Sequence, residues 1–300
     1  MTTASFRYMQ PGTWTESSEA FVKPWSKVDG PGHSFSLASY DRDVINIRGR
    51  ESDFHTDTAG FSVHHRPASE KSFTDDAAIR HGYYAEVESV LREKLPGVAR
   101  VVIFDHTIRR RDKASPRQPV QQVHVDQTPG AAEARVRRHL PKDEADALLG
   151  RRWQLINVWR PIENPASDFP LAVIDWRSTK PEDFVKVDLL YPRRDSHHDD
   201  DDRGKEVLPT ADSQSTQGYE VKGETFGVAP NEGHRFHYMK DMTTDETMFI
   251  KCFDSWGQGL PNGKQGIARC TPHTAFVDPD TPSSAPGRQS IEVRCLVFYE

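Results

Sequence analysis

The chain has little of what would quickly assign it to a class. Cysteine is scarce. Cys252, Cys270 and Cys295 form an odd, scattered set that gives no disulfide framework and suits reduced thiols in a cytoplasmic protein. No run approaches the roughly 20 apolar residues that a membrane-spanning helix needs. The opening stretch, MTTASFRYMQPGTW, has no basic start followed by an apolar run, so no secretory leader is expected. Basic residues are not in excess: 39 Lys and Arg stand against 45 Asp and Glu, and the net charge of −6 argues against a nucleic-acid footprint. No G-x-G-x-x-G loop follows a strand, and strands do not alternate with helices. Both absences weigh against a nucleotide-type cofactor domain, and so against most methyltransferases.

What is present is mostly strand. Three hundred residues suffice for one large domain with a substantial core. Residues 1 to about 70 read as irregular, broken by Pro11, Pro24 and Pro31, with GFSVHH as a short strand candidate. SFTDDAAIRHGYYAEVESVLREKLPG then reads as a helix. Thr74, Asp75 and Asp76 are capping types, Ile79, Tyr83, Val87, Val90 and Leu91 fall at helical spacing, and Pro96-Gly97 ends it. Beyond it come VARVVIF, PVQQVHV, WQLINVWR, FPLAVIDW, FVKVDLLY, GETFGVA, HRFHYM, TMFIKCFD and SIEVRCLVFY, short β-branched or aromatic runs bounded by turn residues. One insertion, GAAEARVRRHLPKDEADALLGRR, has helical character, and RRDSHHDDDDRGKE reads as a solvated acidic loop. The expected class is mainly β with flanking helices, a double-stranded β-helix (jelly roll). Residues 1–96 would be an N-terminal segment with a support helix packed on a core formed by 97–300, the whole being a single structural domain.

Several polar clusters compete for a chemical role. In VQQVHVDQT, His124 and Asp126 lie two apart at a strand end and so project to the same face. Two imidazoles and one carboxylate on one face of a metal are the facial triad of non-haem iron sites, and H-x-D supplies two of the three. A second H-x-D, His55-Thr56-Asp57, falls in a polar stretch outside the strands and reads as a surface turn. The run from His197 to Asp202 has no apolar neighbours to fix it and reads as part of the solvated loop. His234 and His237 are three apart, so they would face opposite ways on a strand. Cross-strand packing suits them as well as ligation does. His273, in ARCTPHTAFVDP, is followed by Arg288 and Ser290. An arginine fork there can grip a carboxylate and the serine can add a hydrogen bond. Arg294 shares the same strand face, so alternation does not choose between the two arginines.

The order H-x-D, a distant His, then R-x-S resembles the Fe(II)/2-oxoglutarate-dependent oxygenases. RQSIEV is also similar to the corresponding segment of isopenicillin N synthase, a relative that does not use 2-oxoglutarate. HVDQTPGAAEARVRRHLP, NVWRPIENPASDFPLAVIDWRS, MTTDETMFIKCFDS, PHTAFVDP and RQSIEVRCLVFYE resemble a narrower group. It comprises the hydroxylase/desaturases of secondary-metabolite clusters, including gibberellin desaturase-like and cephamycin methoxylation-associated proteins. These segments run from about residue 120 to the C-terminus.

That resemblance implies His124, Asp126 and His273 as iron ligands, and Arg288 with Ser290 as the grip on the 2-oxoglutarate carboxylate. The span from His273 to Arg288 is long for the superfamily, which keeps Arg294 in play. The acidic stretch 195–202 looks like an insertion. Asn157 and Arg160, in INVWRP, would pass near the pocket, with Arg160 contacting an anion or forming a structural ion pair. Trp159, Phe236, Tyr238, Phe276 and the N-terminal segment would line the pocket. The implied cofactors are Fe(II), 2-oxoglutarate and O₂. The implied partner is a small organic metabolite, hydroxylated or desaturated as 2-oxoglutarate is decarboxylated to succinate, with no nucleic acid and no membrane involved. The alternatives are an iron-dependent oxidase without 2-oxoglutarate, a methyltransferase and a non-catalytic binding module.

Overall fold

The computed structural model describes residues 1–13, 23–28, 30–111, 118–193, 209–210 and 212–300. Among these described residues fourteen strands form two sheets. In chain order they are β1 (Thr2–Met9), β2 (Trp25–Lys27), β3 (Leu37–Asn46), β4 (Phe61–His65), β5 (Val98–Arg110), β6 (His124–Val125) and β7 (Trp153–Pro161). β8 (Leu171–Ile174), β9 (Phe184–Pro192), β10 (Tyr219–Val228), β11 (Phe236–Tyr238), β12 (Glu246–Asp254), β13 (His273–Ala275) and β14 (Gln289–Tyr299) follow. One sheet has nine strands in the order β1-β3-β11-β8-β13-β6-β10-β9-β2, and the other has five, β4-β12-β7-β14-β5. The fold is therefore mainly β with few helices.

The N-terminal seventy residues are not irregular. β1 alternates, with Ala4, Phe6 and Tyr8 buried, and pairs antiparallel with β3 over eight residues. Its signal was weak because β1 contains no Val or Ile, and β3 carries Asp41, Arg42 and Asp43 along a half-solvated stretch where only Val44 is buried. β1, β2 and β3 join the nine-stranded sheet and β4 the five-stranded one. The acidic run 195–202 lies outside the described residues.

The expected helix is present as α1 (Asp76–Ala78), a π-helical turn over Ile79–Tyr83, and α2 (Tyr84–Lys94). The Asp75 side chain accepts from the Ala77 amide at 2.9 Å, so it caps the first turn. Gly97 adopts φ 82° just beyond the end, a left-handed conformation that glycine enters without a Cβ clash. Val87, Val90 and Leu91 press on Ile291, Val293 and Cys295 of β14 and on Ile156 and Val158 of β7. Odd positions of β14 thus face the helix. Arg288, just before the strand, and Ser290, Glu292 and Arg294 along it alternate to the other side, toward the nine-stranded sheet. The sheets meet there through Trp159, Met248 and Ile250 on one side and Leu171 and Val173 on the other.

The insertion after the H-x-D stretch forms α3 (Pro129–His139) and α4 (Lys142–Leu149). The Thr128 hydroxyl accepts from the Ala131 amide at 3.3 Å and donates to Glu224 of β10 at 2.5 Å. One residue thus starts α3 and ties it to the sheet. Ala132, Val136 and Ala145 then pack on Trp153, Leu155 and Leu296.

Candidate metal centre

β6 is only two residues long, yet it is held on both sides. His124 is the register partner of Gly227 in β10 and of His273 in β13. A Cβ at Gly227 would fall 2.5 Å from the Met9 sulfur, so a side chain there would require the Met9 thioether to shift. The His124 and His273 rings stand 4.5 Å apart between centroids. Asp126, just past the strand, brings its Oδ1 within 3.3 Å of His124 Nε2 and 3.8 Å of His273 Nε2. One ligand atom from each of the three residues lies within 4.8 Å of the others, the one such group found among the described residues.

The remaining polar atom of each side chain is already committed. His124 Nδ1 lies 2.7 Å from the Gln122 carbonyl, and His273 Nδ1 lies 3.0 Å from that of Thr271. A carbonyl only accepts, so each Nδ1 carries a proton and each Nε2 points inward, where it can give a lone pair to a metal once its own proton is displaced. Asp126 Oδ2 accepts from the Asn157 amide at 2.6 Å, across from β7 of the other sheet, which leaves Oδ1 to the cluster. Two imidazole nitrogens and one carboxylate oxygen, each oriented from behind, fit a divalent first-row metal bound on one face.

The electrostatics agree with that donor set. Burial would raise the Asp126 pKa, but the hydrogen bond from His124 and the nearby His273 hold it far below the ordinary carboxylate range. His124 is lifted against its burial by the bond to Asp126, whereas burial and the His124 charge push His273 down to about 4. A divalent cation would take the place of the proton shared by His124 and Asp126.

Two cavities adjoin the cluster. The smaller, about 40 Å³, is bounded by Thr107, Trp159, Leu171, Arg288 and Ser290. Arg288 is buried; its Nη1 donates to the Phe169 carbonyl at 2.6 Å, its Nε has no partner, and its guanidinium lies 5.6 Å from the Trp159 ring centre. Burial, and after it the Arg109 charge, push its pKa down to about 9. Among the described residues no carboxylate pairs with it, so the site favours an incoming anion. The larger cavity, about 230 Å³, lies on the His124–Asp126 side and is lined by Val28, Phe35, Arg109, Leu189, Glu292 and Arg294 among others.

The structure separates the two arginines that alternation did not. Arg294 is ion-paired: its Nε is 3.0 Å from Asp105 and 4.0 Å from Glu292, though not hydrogen-bonded to either, and its Nη2 donates to Thr107 at 2.8 Å. Those carboxylates keep its pKa high despite burial. Asn157 touches Asp126 and not the smaller cavity. Arg160 lies apart from both cavities, donating to the carbonyls of Thr244 (3.1 Å) and Arg66 (2.7 Å) with Tyr83 beneath it. Its partners are backbone, and among the described residues it forms no ion pair.

Of the expected lining residues, Trp159 does line the smaller cavity, while Phe236, Tyr238 and Phe276 pack with Phe6 in a separate core. The N-terminal segment contributes Ser26, Val28 and Phe35 to the larger cavity. His234 bonds Asp183 and Tyr8 at 3.0 and 2.9 Å, and His237 packs on Phe54, so neither joins the cluster. His55 and Asp57 do sit in a turn. Asp57 forms ion pairs with Arg152 and Lys251, a structural role. Sequence reading missed Asp105, Thr107 and Arg109 on β5. Their signal was polar alternation within an otherwise apolar strand, F-D-H-T-I-R.

The family model described as "Oxidoreductase/YMDC permease-like domain" matches residues 6–298. Among the described residues no helix is long and apolar enough to cross a membrane. The chain is 34% identical over 276 residues to "Hydroxylase/desaturase CTB9" of Cercospora beticola, covering 86% of this chain and 76% of that one. It is 28% identical over 306 residues to "Fe(II)/2-oxoglutarate-dependent dioxygenase nvfI" of Aspergillus novofumigatus, covering 95% and 97%. A solved structure of "iron and alpha-ketoglutarate-dependent endoperoxidase NvfI" superposes with a TM-score of 0.76 at 26% identity, over 99% of this chain and 97% of that one.

Proposed function

The chain belongs to the hydroxylase/desaturase family of Fe(II)/2-oxoglutarate-dependent oxygenases, and on that footing we propose that His124, Asp126 and His273 hold the iron while Arg288 and Ser290 hold the far carboxylate of 2-oxoglutarate. The enzyme uses Fe(II), 2-oxoglutarate and O₂. Bound together, they supply oxidation of an unactivated C–H bond, coupled to decarboxylation of 2-oxoglutarate to succinate. The substrate is a small organic metabolite of specialised metabolism, hydroxylated or desaturated according to how its C–H bonds lie against the metal.

The protein's own part is to bind, orient and exclude water. Gln122, Thr271 and Asn157 aim the three ligands from behind, so that little rearrangement is needed when metal enters. Arg288 presents a buried fork to the smaller cavity, with no carboxylate paired to it among the described residues, and the buried Trp159 and Leu171 line the same cavity. The observation that carries the assignment is the convergence of two Nε2 atoms and one Oδ1 beside this unpaired arginine.

The order β5-β14-β7-β12 facing β11-β8-β13-β6 supports a jelly-roll core. Strands from the first 96 residues lie in both sheets, which supports one structural domain. Three free, buried cysteines favour a reducing compartment such as the cytoplasm.

The test is an anaerobic titration of 2-oxoglutarate into the Fe(II)-loaded chain, watching for the weak visible charge-transfer absorption of the chelate. The absorption should appear in the wild type and be lost in His273→Ala. Iron binding without any absorption would remove 2-oxoglutarate from the reading.

A further inference from the structure

The inner faces of β5 and β14 carry a ladder of polar side chains in register. Arg109 stands opposite Ser290, Thr107 opposite Glu292 and Asp105 opposite Arg294. With Arg288 they put three guanidinium groups beside the metal cluster, each with a different status. Arg294 is neutralised by Asp105 and Glu292. Arg288 borders the smaller cavity, where the reading above places the co-substrate. Arg109 remains. Its single hydrogen bond among the described residues runs from Nη1 to the Gln118 carbonyl at 3.1 Å, and no carboxylate pairs with it there.

The negative groups nearest Arg109, Glu292 and Asp126, attract it through space but form no ion pair with it among the described residues. Glu292 lies within 4.0 Å of Arg294, and Asp126 is taken by the two imidazoles and Asn157. Arg109 borders the larger cavity, whose lining combines apolar Val28, Phe35, Val187 and Leu189 with polar side chains such as Gln122, Tyr191 and Thr225. A guanidinium fork that shares a cavity with apolar side chains next to a metal site matches a molecule with an anionic end and an apolar body.

We propose that Arg109 is a specificity-determining residue that grips a carboxylate of the substrate in the larger cavity, with the apolar body of the substrate against Val28, Phe35, Val187 and Leu189. This rests on the oxygenase reading and deepens it by naming the substrate class, an otherwise apolar carboxylic acid. The carboxylate could also come from 2-oxoglutarate, because Arg109 reaches the border of the smaller cavity as well. The experiment separates the two sources.

The probes are trans-cinnamate and its neutral analogue cinnamamide, titrated calorimetrically into the Mn(II)-loaded chain with saturating 2-oxoglutarate. 2-Oxoglutarate itself is titrated separately. Wild type should bind cinnamate and not cinnamamide. Arg109→Gln should weaken cinnamate binding about thirtyfold or more, and Arg109→Lys should lie between. 2-Oxoglutarate affinity should stay within about twofold of wild type in both variants. Melting curves check folding, and if Arg109→Gln does not fold, Arg109→Lys decides alone, since it keeps the charge but loses the fork. Failure of wild type to prefer cinnamate, or unchanged cinnamate binding in the variants, overturns the proposal. A loss of 2-oxoglutarate affinity as large as that in Arg288→Gln also overturns it, by assigning Arg109 to the co-substrate. If wild type shows no metal-dependent 2-oxoglutarate binding, the oxygenase reading itself fails, a result distinct from these.

Discussion

The Asn157 amide, on β7 of the five-stranded sheet, donates to Oδ2 of Asp126, at the end of β6 in the nine-stranded sheet, at 2.6 Å. This bond crosses the gap between the sheets and decides which carboxylate oxygen faces the imidazoles. Asn157 is buried and its register partner on β14 is Arg294, so the strand that carries the arginines also sets the height of Asn157. On the proposed ligand set, metal affinity is thereby linked to the packing of one sheet on the other.

Asn157→Leu should accordingly weaken metal binding about 10- to 100-fold, the usual effect of removing a residue that orients a ligand. A competition titration of Mn(II) measures this. An unchanged affinity would mean that Asp126 is oriented by something other than Asn157.

His124→Ala and His273→Ala should each abolish Fe(II) binding and turnover while keeping the secondary structure. Metal should also cease to protect these variants thermally. Saturating metal at 100 times its dissociation constant stabilises a folded chain by about 2.7 kcal/mol, and a variant that binds none loses that increment. A differential melting curve with and without Mn(II) reads the outcome, and full protection in both variants would disprove the ligand set.

Arg288→Gln and Arg294→Gln should fail in different ways. The first removes a cation that has no carboxylate partner among the described residues. It should raise the 2-oxoglutarate requirement by about 2–5 kcal/mol of binding with little effect on melting. The second leaves Asp105 and Glu292 without their shared cation and should destabilise the fold by about 3–5 kcal/mol. Succinate release against 2-oxoglutarate concentration, set beside urea denaturation, resolves the two, and the reverse assignment of effects would move the co-substrate to Arg294.

His237 supplies a pH dependence remote from the metal. Burial, opposed by Asp175, pushes its pKa down from 6.5 to about 4. The folded chain therefore prefers the neutral ring. Its stability contribution is complete above the unfolded value of 6.5 and is lost as pH falls toward 4. The loss between pH 7 and pH 5 should be about 2 kcal/mol. His237→Phe keeps an aromatic ring against Phe54 and Phe61 and should remove that part of the loss. Urea midpoints at the two pH values decide, and an identical acid loss in both proteins would exclude His237 as its source.

The mainly β class, the helix with its Asp75 cap, and His124, Asp126 and His273 as candidates were all legible in the chain, because each rests on local signals. Period-2 alternation, a capping carboxylate before an apolar 3.6-residue repeat and a two-residue H-x-D spacing need no knowledge of distant residues. Strands β1 and β3 were not legible. Their apolar positions are few, and their pairing partners, from Met9–Leu37 to Thr2–Val44, lie far apart in sequence.

The choice between Arg288 and Arg294 shows the boundary between the two kinds of information. Both lie on one face of one strand, and their local sequence makes them equivalent. Asp105, 189 residues earlier, neutralises one and leaves the other for a ligand. Likewise, Asn157 and Arg160 are three residues apart on β7, so the pleat sends one to the metal cluster and the other to backbone carbonyls near Tyr83. Residue type and spacing alone determined which groups can ligate a metal or grip a carboxylate, because that capacity is a property of the side chain and its nearest neighbours. Which of them are free to do so was decided only when the sheets closed on each other, because a charge is available or spent according to what stands within about 4 Å of it, and those neighbours come from distant strands.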